Sequence, residues 1–558
     1  MRPSGPPPAR QLRRLRDIAT VLAKYGFPDV VARLRLERTV ALGRRLRPWG
    51  RRTAPSGTKA QRLRQALEEL GPTFIKFGQA LSNRPDLLPA DLVAELARLQ
   101  DTVAPLPDGV AEAAIEAELG HPVSRLFSRF DPQPVAAASI AQVHRARLLD
   151  GSEVAVKVRR PGIEAVIDHD LGILGVLARL AERYLPDADI YQPAMLVAEF
   201  ARAIRREQDL AREGRAIERF ARNFAGDPTI RLPRVHWPQT TTGVLTMEYM
   251  EGTRLQDVLA DPGAFDAAAI ATRGAQAVLK QVLRDGLFHA DPHPANIFIL
   301  PDGAICLLDF GSVGRVDRHL REALTRLLDA VAHENAERLA SAILSIGRPL
   351  KKLDSAQLGR DLADLIDGYA GVAVRDLSIA GLLQDALTVM RRHRLQFPAD
   401  LMLLVRAFVT IEGVARRLDP TFNMLEHARP VVAGILRDRM APSAVAARVA
   451  DTARDVADAV QTLPHDLMEI VGKARDDRLQ IQFVHRNLEH FVQEMDRASN
   501  RLSFAVVIAA LIVGSSFVLQ RSAGPHLFGL PAVGLVGFVA AAVLGLWLAV
   551  GILRSGRL

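Results

Sequence analysis

HADPHPANIFILPDGAICLLDFG, residues 289–311, is the stretch from which the fold is read. His289-Ala290-Asp291 is followed five residues after Asp291 by Asn296, and Asp309-Phe310-Gly311 opens eighteen residues past Asp291. Magnesium held between phosphates takes hard oxygen ligands, usually one or two carboxylates plus waters. A carboxylate on a loop, an amide five residues later and an Asp at the end of the next strand supply such a set. A lone Asp-Phe-Gly arises by chance; the two motifs at this spacing rarely do.

In protein-kinase chemistry the first Asp orients the acceptor, while the Asn and the second Asp hold metal. That assigns Asp291 the catalytic position, with Asn296 and Asp309 as the metal pair. Upstream, VAVKV sets Lys157 in a run of alternating β-branched residues. A lysine so flanked suits an ammonium that reaches the α- and β-phosphates and pairs with a helix carboxylate. A single helix read over about residues 194–220 offers Glu213. Asp209, four residues earlier, shares its face, and Glu207 lies about 200° from Asp209 at 100° per residue. Ordinary surface charge is the competing reading for each acid. VLTMEYM (244–250) has the form of a strand and hinge where an adenine would meet backbone around Glu248 to Met250.

Two features depart from the kinase pattern. The phosphate loop, expected as G-x-G-x-x-G, reads Ala136-Ala137-Ala138-Ser139-Ile140-Ala141, and methyl groups cannot follow a polyphosphate as closely as glycine backbone. No A-P-E follows Asp-Phe-Gly, which leaves a protein-substrate platform in doubt. GPTFIKFGQALSNRP (71–85) also carries Lys76, Gln79 and Asn83 as a polar stripe, for which a solvated face is the plain alternative.

Composition narrows the rest. The chain has 558 residues, 49% hydrophobic and 24% charged, which excludes a disordered class and suggests several domains. One cysteine, Cys306, cannot form an internal bridge. Only 5% of residues are aromatic, too few to favour base stacking, so no nucleic acid is expected as a partner. Residues 1–60 carry fifteen Lys or Arg against Asp17, Asp29 and Glu37, more than the whole chain's net +9, so the remainder is slightly acidic.

Leu502–Leu519 and Leu527–Leu553 hold no charge, and each reaches the roughly 18 residues needed to cross a bilayer. They are expected as a transmembrane hairpin. Arg497, Arg501, Arg554 and Arg557 outside the spans, against Arg521 in the turn, put both ends in the cytoplasm. Gly534, Gly537, Ala541 and Gly545 would let the helices approach. Near the start, Ile18, Val21, Leu22 and Tyr25 recur at helical spacing beside Arg and Lys. Three readings stay open there: a helix lying on anionic lipid, a helix docked on the body of the protein, and a transit peptide. Leu63, Leu67, Leu70, Phe74, Phe77 and Leu81 step by three or four as one apolar stripe. Asp150-Gly151 joins two β-like runs as a hairpin.

Lys76-Phe77-Gly78-Gln79, AAASIAQVH (136–144), Lys157, Glu207-Gln208-Asp209, HADPHPAN and LLDFG occur in that order. Together they resemble the UbiB/AarF kinase-like family from about residue 10 to about residue 430. The resemblance implies an α+β, bilobal protein-kinase-like fold with family-specific N-terminal helices, a helical C-terminal extension and a transmembrane helical hairpin. The divisions expected are a basic segment (1–60), a helical extension bearing Lys76 and Gln79 (61–130), an N-lobe with inserted helices (131–255) and a helical C-lobe (256–435). An amphipathic linker (436–500) and the hairpin (502–553) follow.

The same resemblance implies ATP and Mg2+ as cofactors, with Ala136–Ala141, Lys157, Glu213, Glu248 and Met250 around the nucleotide. Lys157 and Asp291 would be catalytic and Asn296 and Asp309 metal ligands. Lys76 and Gln79 would meet Glu207 and Asp209 near the phosphates, in a regulatory role. Ala141 stands where many members have glycine. The implied role is a membrane-anchored ATPase supporting ubiquinone biosynthesis, by handling lipid precursors or the biosynthetic complex. A phosphotransferase acting on a protein, lipid or small molecule, and a nucleotide-gated scaffold, are the alternatives. Membrane lipids, quinone precursors, biosynthetic enzymes and a second copy of the chain are the implied partners. The implied location is a bacterial inner membrane, with the kinase-like domain facing the cytoplasm.

Overall fold

The computed structural model describes residues 9–33, 57–82, 84, 88–99, 103–184, 192–332, 336–349, 354–368, 379–393, 395–396, 398–440, 488–519, 526–527 and 530–554. The chain forms two compact units, Met1–Val445 and Ala446–Leu558. The first begins with helices α1 (Ala9–Lys24), α2 (Lys59–Leu70), α3 (Pro72–Ser82) and α4 (Val110–Leu119). Strands β1 (Phe127–Phe130), β2 (Ala136–Ala137), β3 (Ala141–Leu148) and β4 (Glu153–Arg159) follow. Helices α5 (Ile163–Tyr184), α6 (Pro193–Glu207) and α7 (Leu210–Asn223) come before β5 (Ile230–Arg231), β6 (Val244–Glu248) and β7 (Thr253–Arg254). Helix α8 (Ala267–Lys280) leads into β8 (Leu287–His289), β9 (Ile297–Ile299), β10 (Ile305–Leu307) and β11 (Val313–Arg315). Further helices include α9 (Ala399–Leu418).

The smaller lobe is a five-stranded antiparallel sheet in the order β1-β3-β4-β6, with β2 also on β3. Asp150-Gly151 makes the expected turn: Gly151 has φ 88°, and the Asp150 carboxylate accepts the Ser152 N–H at 2.9 Å. Side chains alternate across a strand. Val154, Val156 and Val158 of β4 are therefore fully buried on one face with Ile115 of α4, while Ala155 and Lys157 point to the other. That alternation fixes which way the lysine faces.

The larger lobe is mostly helical. Its core joins α7, α8 and α9 to small ladders β5-β10-β9-β7 and β8-β11. Among the described residues beyond β11 the chain is helical, apart from two short ladders that the sequence reading did not anticipate, Arg348–Pro349 with Leu395–Gln396 and His526–Leu527 with Leu530–Pro531.

A separate apolar layer joins α1, α2, α3, α5 and α6. The stripe from Leu63 to Leu81 runs across two helices, separated at Gly71 (φ 100°) and Pro72. Helix α1 docks on the body, since Leu15, Ile18 and Ala19 are buried and Arg14 pairs with the buried Asp170 at 2.9 Å. Its apolar face is thus filled by protein.

In the second unit, helices α10 (Leu488–Leu519) and α11 (Ala532–Arg554) pack on each other. Ala541 and Ser515 are buried, a Cβ on Gly537 would strike the Ser515 hydroxyl, and the Phe504 and Trp547 rings meet at 6.0 Å. A Cβ on Gly545, by contrast, would meet nothing within 4 Å. Among the described residues no helix is long and apolar enough to cross a membrane. The stretches whose side chains are continuously described, 502–518 and 535–547, fall short of the roughly 18 residues required. The expectation of two membrane-crossing helices is therefore not met by the described residues. Arg521, Arg557 and Asn83, with the side chains of Arg497, Arg501 and Arg554, lie outside them.

Gly78 generates a direct test. A Cβ there would collide with the Leu99 side chain and stand 2.9 Å from Leu67 Cδ1. Gly78→Ala should lower stability by about 1–3 kcal/mol, seen as an earlier urea midpoint at unchanged slope. An unshifted midpoint would mean that Leu99 swings clear.

Candidate nucleotide and metal site

The β9–β10 hairpin brings the sequence motifs together. The register pairs Ile297 with Leu307, and the Leu308 N–H donates to the Asn296 carbonyl at 2.9 Å. Asn296 and Asp309 thus leave the same end of the ladder. His289 is buried beneath them: its N–H donates to Gln281 Oε1 at 3.0 Å, and its Nε2 lies 3.1 Å from the Leu308 carbonyl. Phe310 packs between the rings of Phe220 on α7 (4.9 Å) and His289 (5.1 Å). Asp309 has φ 56°, a left-handed conformation that costs roughly 1–2 kcal/mol in a residue with a Cβ. Its neighbours hold it there; Gly311 N–H donates to Asp309 Oδ1 at 3.4 Å.

Lys157 stands at the centre. Its ammonium donates to Glu213 at 2.8 and 3.0 Å and to Asp309 Oδ1 at 3.0 Å. Burial pulls its pKa down, but Asp309 and Glu213 together outweigh it and hold Lys157 above its ordinary value. The Lys157 charge, acting against burial and aided by Lys76, keeps Asp309 below the usual carboxylate range. Glu213 is displaced upward, because its burial prevails over the lysine. The sequence reading paired Lys157 with Glu213, and the geometry does the same.

The second constellation differs from its sequence reading. Helices α6 and α7 are two helices, not one. The break falls at Gln208-Asp209, where the Asp209 carboxylate caps α7 by accepting the Arg212 N–H at 3.1 Å. Asp209 is otherwise engaged with Arg215 at 3.5 Å and does not meet Lys76. Glu207, the last residue of α6, does: Lys76 Nζ lies 2.5 Å from its Oε1. Gln79 instead donates to the Leu99 carbonyl at 2.9 Å, tying α3 to the segment beside it.

A cleft of about 540 Å³ lies between the lobes, lined by Lys157, Glu213, Asn296 and Asp309 together with Glu248, Tyr249 and Met250. Ala136, Ala138 and Ala141 also face it, whereas Ser139 and Ile140 turn inward and are buried. Arg160 clasps the loop from behind through the Ala138 carbonyl at 2.8 Å. Asp291 is outside this lining, with its carboxylate 3.1 Å from Arg406 of α9. Sequence reasoning missed Arg406, 115 residues away, and the cleft residues Gly252, Thr253, Arg254 and Asp257. No local motif marks any of them.

The donors suit a hard cation. Asn296 Nδ2 donates to the Asp291 carbonyl at 3.4 Å, which leaves its side-chain oxygen for a metal, and Asp309 has a second oxygen beyond Lys157. A carboxylate and an amide are what magnesium takes from protein when phosphates and waters complete its shell. Among the described residues no group of three or more His, Cys, Asp or Glu has metal-binding geometry. Cys306 is not a competing nucleophile, because burial pushes its thiol up to about 12.

Removing the lysine would strand Glu213, whose side chain is 3% exposed. Lys157→Met should cost roughly 3–5 kcal/mol, and Lys157→Met/Glu213→Leu should recover most of it. A buried carboxyl raised above its unfolded value of about 4.3 favours folding below that value and loses the contribution as pH rises through the folded one. The deficit of the single variant should therefore grow from acid toward neutral pH in urea titrations. A deficit independent of pH would contradict the stranded charge.

The chain matches the model of the ABC1 atypical kinase-like domain over residues 98–343, the UbiB helical domain over 362–423 and the ABC1/UbiB kinase-like C-terminal domain over 486–554. It is 31% identical to an uncharacterized protein in the hydrogenase 1 5' region of Clostridium pasteurianum, over 98% of this chain and 99% of that one. It is 35% identical to the probable protein kinase UbiB of Marinobacter nauticus, over 78% and 80%. The corresponding protein of Pseudomonas putida strain W619 is 33% identical over 93% and 96%. With a kinase-like fold and these relatives, the chain belongs to the ABC1/UbiB family of atypical kinase-like proteins.

Proposed function

We propose that this chain binds ATP with magnesium in the interlobe cleft and hydrolyses it at a bacterial membrane surface in support of ubiquinone biosynthesis. The observation that carries the reading is Lys157 gripped by Glu213 and Asp309 beside Asn296, in a cleft sized for a nucleotide. Lys157 would meet the α- and β-phosphates, and Asp309 and Asn296 would hold the metal, which supplies neutralisation of the polyphosphate charge. The Glu248–Met250 segment would receive the adenine. Asp291, held by Arg406, would orient the attacking oxygen. The alanine loop restrains how closely backbone follows the phosphates, which favours water over a bulky acceptor. Lys76 and Glu207 would bring α3 against the Asp309 segment as a regulatory clasp.

The quinone role rests on the relatives named probable protein kinase UbiB. The membrane location is supported by apolar side chains left bare along α10 and α11: Leu502 is 68% exposed, Phe517 66%, Leu546 70% and Trp547 63%. Such side chains are stable in lipid and costly in water. Transfer of the γ-phosphate to a small-molecule or lipid hydroxyl is the second reading, favoured by Asp291 lying just beyond the nucleotide cleft.

The test is phosphate release by the full chain in detergent, and in vesicles with a phenolic quinone precursor. Asp309→Asn should reduce turnover about a hundredfold, and vesicles or phenol should raise it in the unaltered chain. Label on the phenol or lipid in place of free phosphate would select the second reading. Failure to bind magnesium-ATP at all would overturn both.

A further inference from the structure

A second groove, of about 780 Å³, shares Glu213 with the nucleotide cleft and is also lined by Phe310, Gly311 and Ser312, the residues that follow Asp309. Its lining includes Arg202 and Arg206 of α6, Arg212 and Arg219 of α7, and Arg315 at the end of β11. The acids that share the groove are already engaged. Glu199 holds Arg84 at 3.2 Å, Glu207 holds Lys76 and Glu213 holds Lys157, each of these cations standing outside the lining. Glu218 accepts from Trp237 and faces Arg222, and Asp400 accepts the Arg315 N–H at 3.5 Å. Among the described residues none of the five arginines has a carboxylate within salt-bridge distance. Burial, then the like charges of Arg206 and Arg315, hold the Arg212 guanidinium below its ordinary value.

A solvated charged face is the ordinary reading of scattered arginines. These five instead converge on one concavity, where Glu199, Glu207, Glu213 and Glu218 hold other cations and Asp400 is the one lining carboxylate left to face Arg206 and Arg315. Guanidinium forks match phosphate oxygens in pairs, and like charges brought together are relieved by a multivalent anion. We infer that this groove is a binding site for a multivalent phosphate, such as a diphosphate or a phosphomonoester headgroup, distinct from the nucleotide cleft. The inference does not depend on ATP turnover. A ligand bound there would abut Glu207 and Glu213, the carboxylates that hold Lys76 and Lys157.

The probe is inorganic pyrophosphate without magnesium, titrated calorimetrically into the full chain in detergent. Arg212→Gln/Arg315→Gln, which leaves the nucleotide cleft intact, should weaken binding about tenfold or more, while magnesium-ATP binding and the melting curve stay unchanged. Arg212→Lys/Arg315→Lys should fall between, because charge persists without the fork. A parallel arm sediments the chain with phosphatidylcholine vesicles with and without phosphatidic acid. Dependence on the arginines in the pyrophosphate arm alone assigns a free phosphate ligand; dependence in the vesicle arm alone, a headgroup; dependence in both, the shared chemistry. If the glutamine variant matches the unaltered chain in both arms, the site does not exist.

Discussion

An ammonium shared by two carboxylates organises this protein. Lys157 comes from a strand, Glu213 from a helix and Asp309 from the loop after β10, so one cation joins three elements far apart in sequence. Lys157 is 16% exposed and Glu213 only 3%, so neither charge would be tolerated there alone. The surrounding packing serves that arrangement. Three buried valines force Lys157 to the opposite face of β4, and Phe310, wedged between Phe220 and His289, sets the backbone on which Asp309 adopts its left-handed conformation.

A second ion pair extends the arrangement outward. Lys76 reaches Glu207 from a helical layer with its own apolar core. Gly78 lets that helix sit tightly on Leu99 and Leu67, so the lysine is aimed by packing as well as by charge. Opposite-charged side chains bridging α3 and the end of α6 make the layer a participant in the electrostatics around Asp309, whose carboxylate Lys76 also stabilises. The same two carboxylates, Glu207 and Glu213, border the arginine groove. The nucleotide cleft, the helical layer and the groove therefore meet at shared residues.

Much of this was legible in the chain itself, wherever local rules suffice. Strand alternation pointed Lys157 away from its valine neighbours, Asp150-Gly151 closed its hairpin, and the spacing from Asn296 to Asp309 places both at the same end of the β9–β10 ladder. What was not legible depended on local breaks or long-range contacts. Asp209 looked like a member of an acidic face until its capping bond to Arg212 split the helix, which a charge pattern at helical period cannot reveal. Gln79 shares a helical stripe with Lys76, yet its amide satisfies the Leu99 carbonyl. Arg406 carries no motif and meets Asp291 through the packing of α9, 115 residues on, against β11. The α1 stripe gave an amphipathic helix but not its partner; the buried Asp170 that receives Arg14 lies in a helix more than a hundred residues away.

The most direct measurement is a structure of the full chain determined with magnesium and a non-hydrolysable ATP analogue. The account predicts a triphosphate against Lys157, a magnesium ion bound by Asp309 and Asn296, and adenine beside Glu248–Met250. A nucleotide seated in the arginine groove, or a metal bound without Asp309, would contradict it.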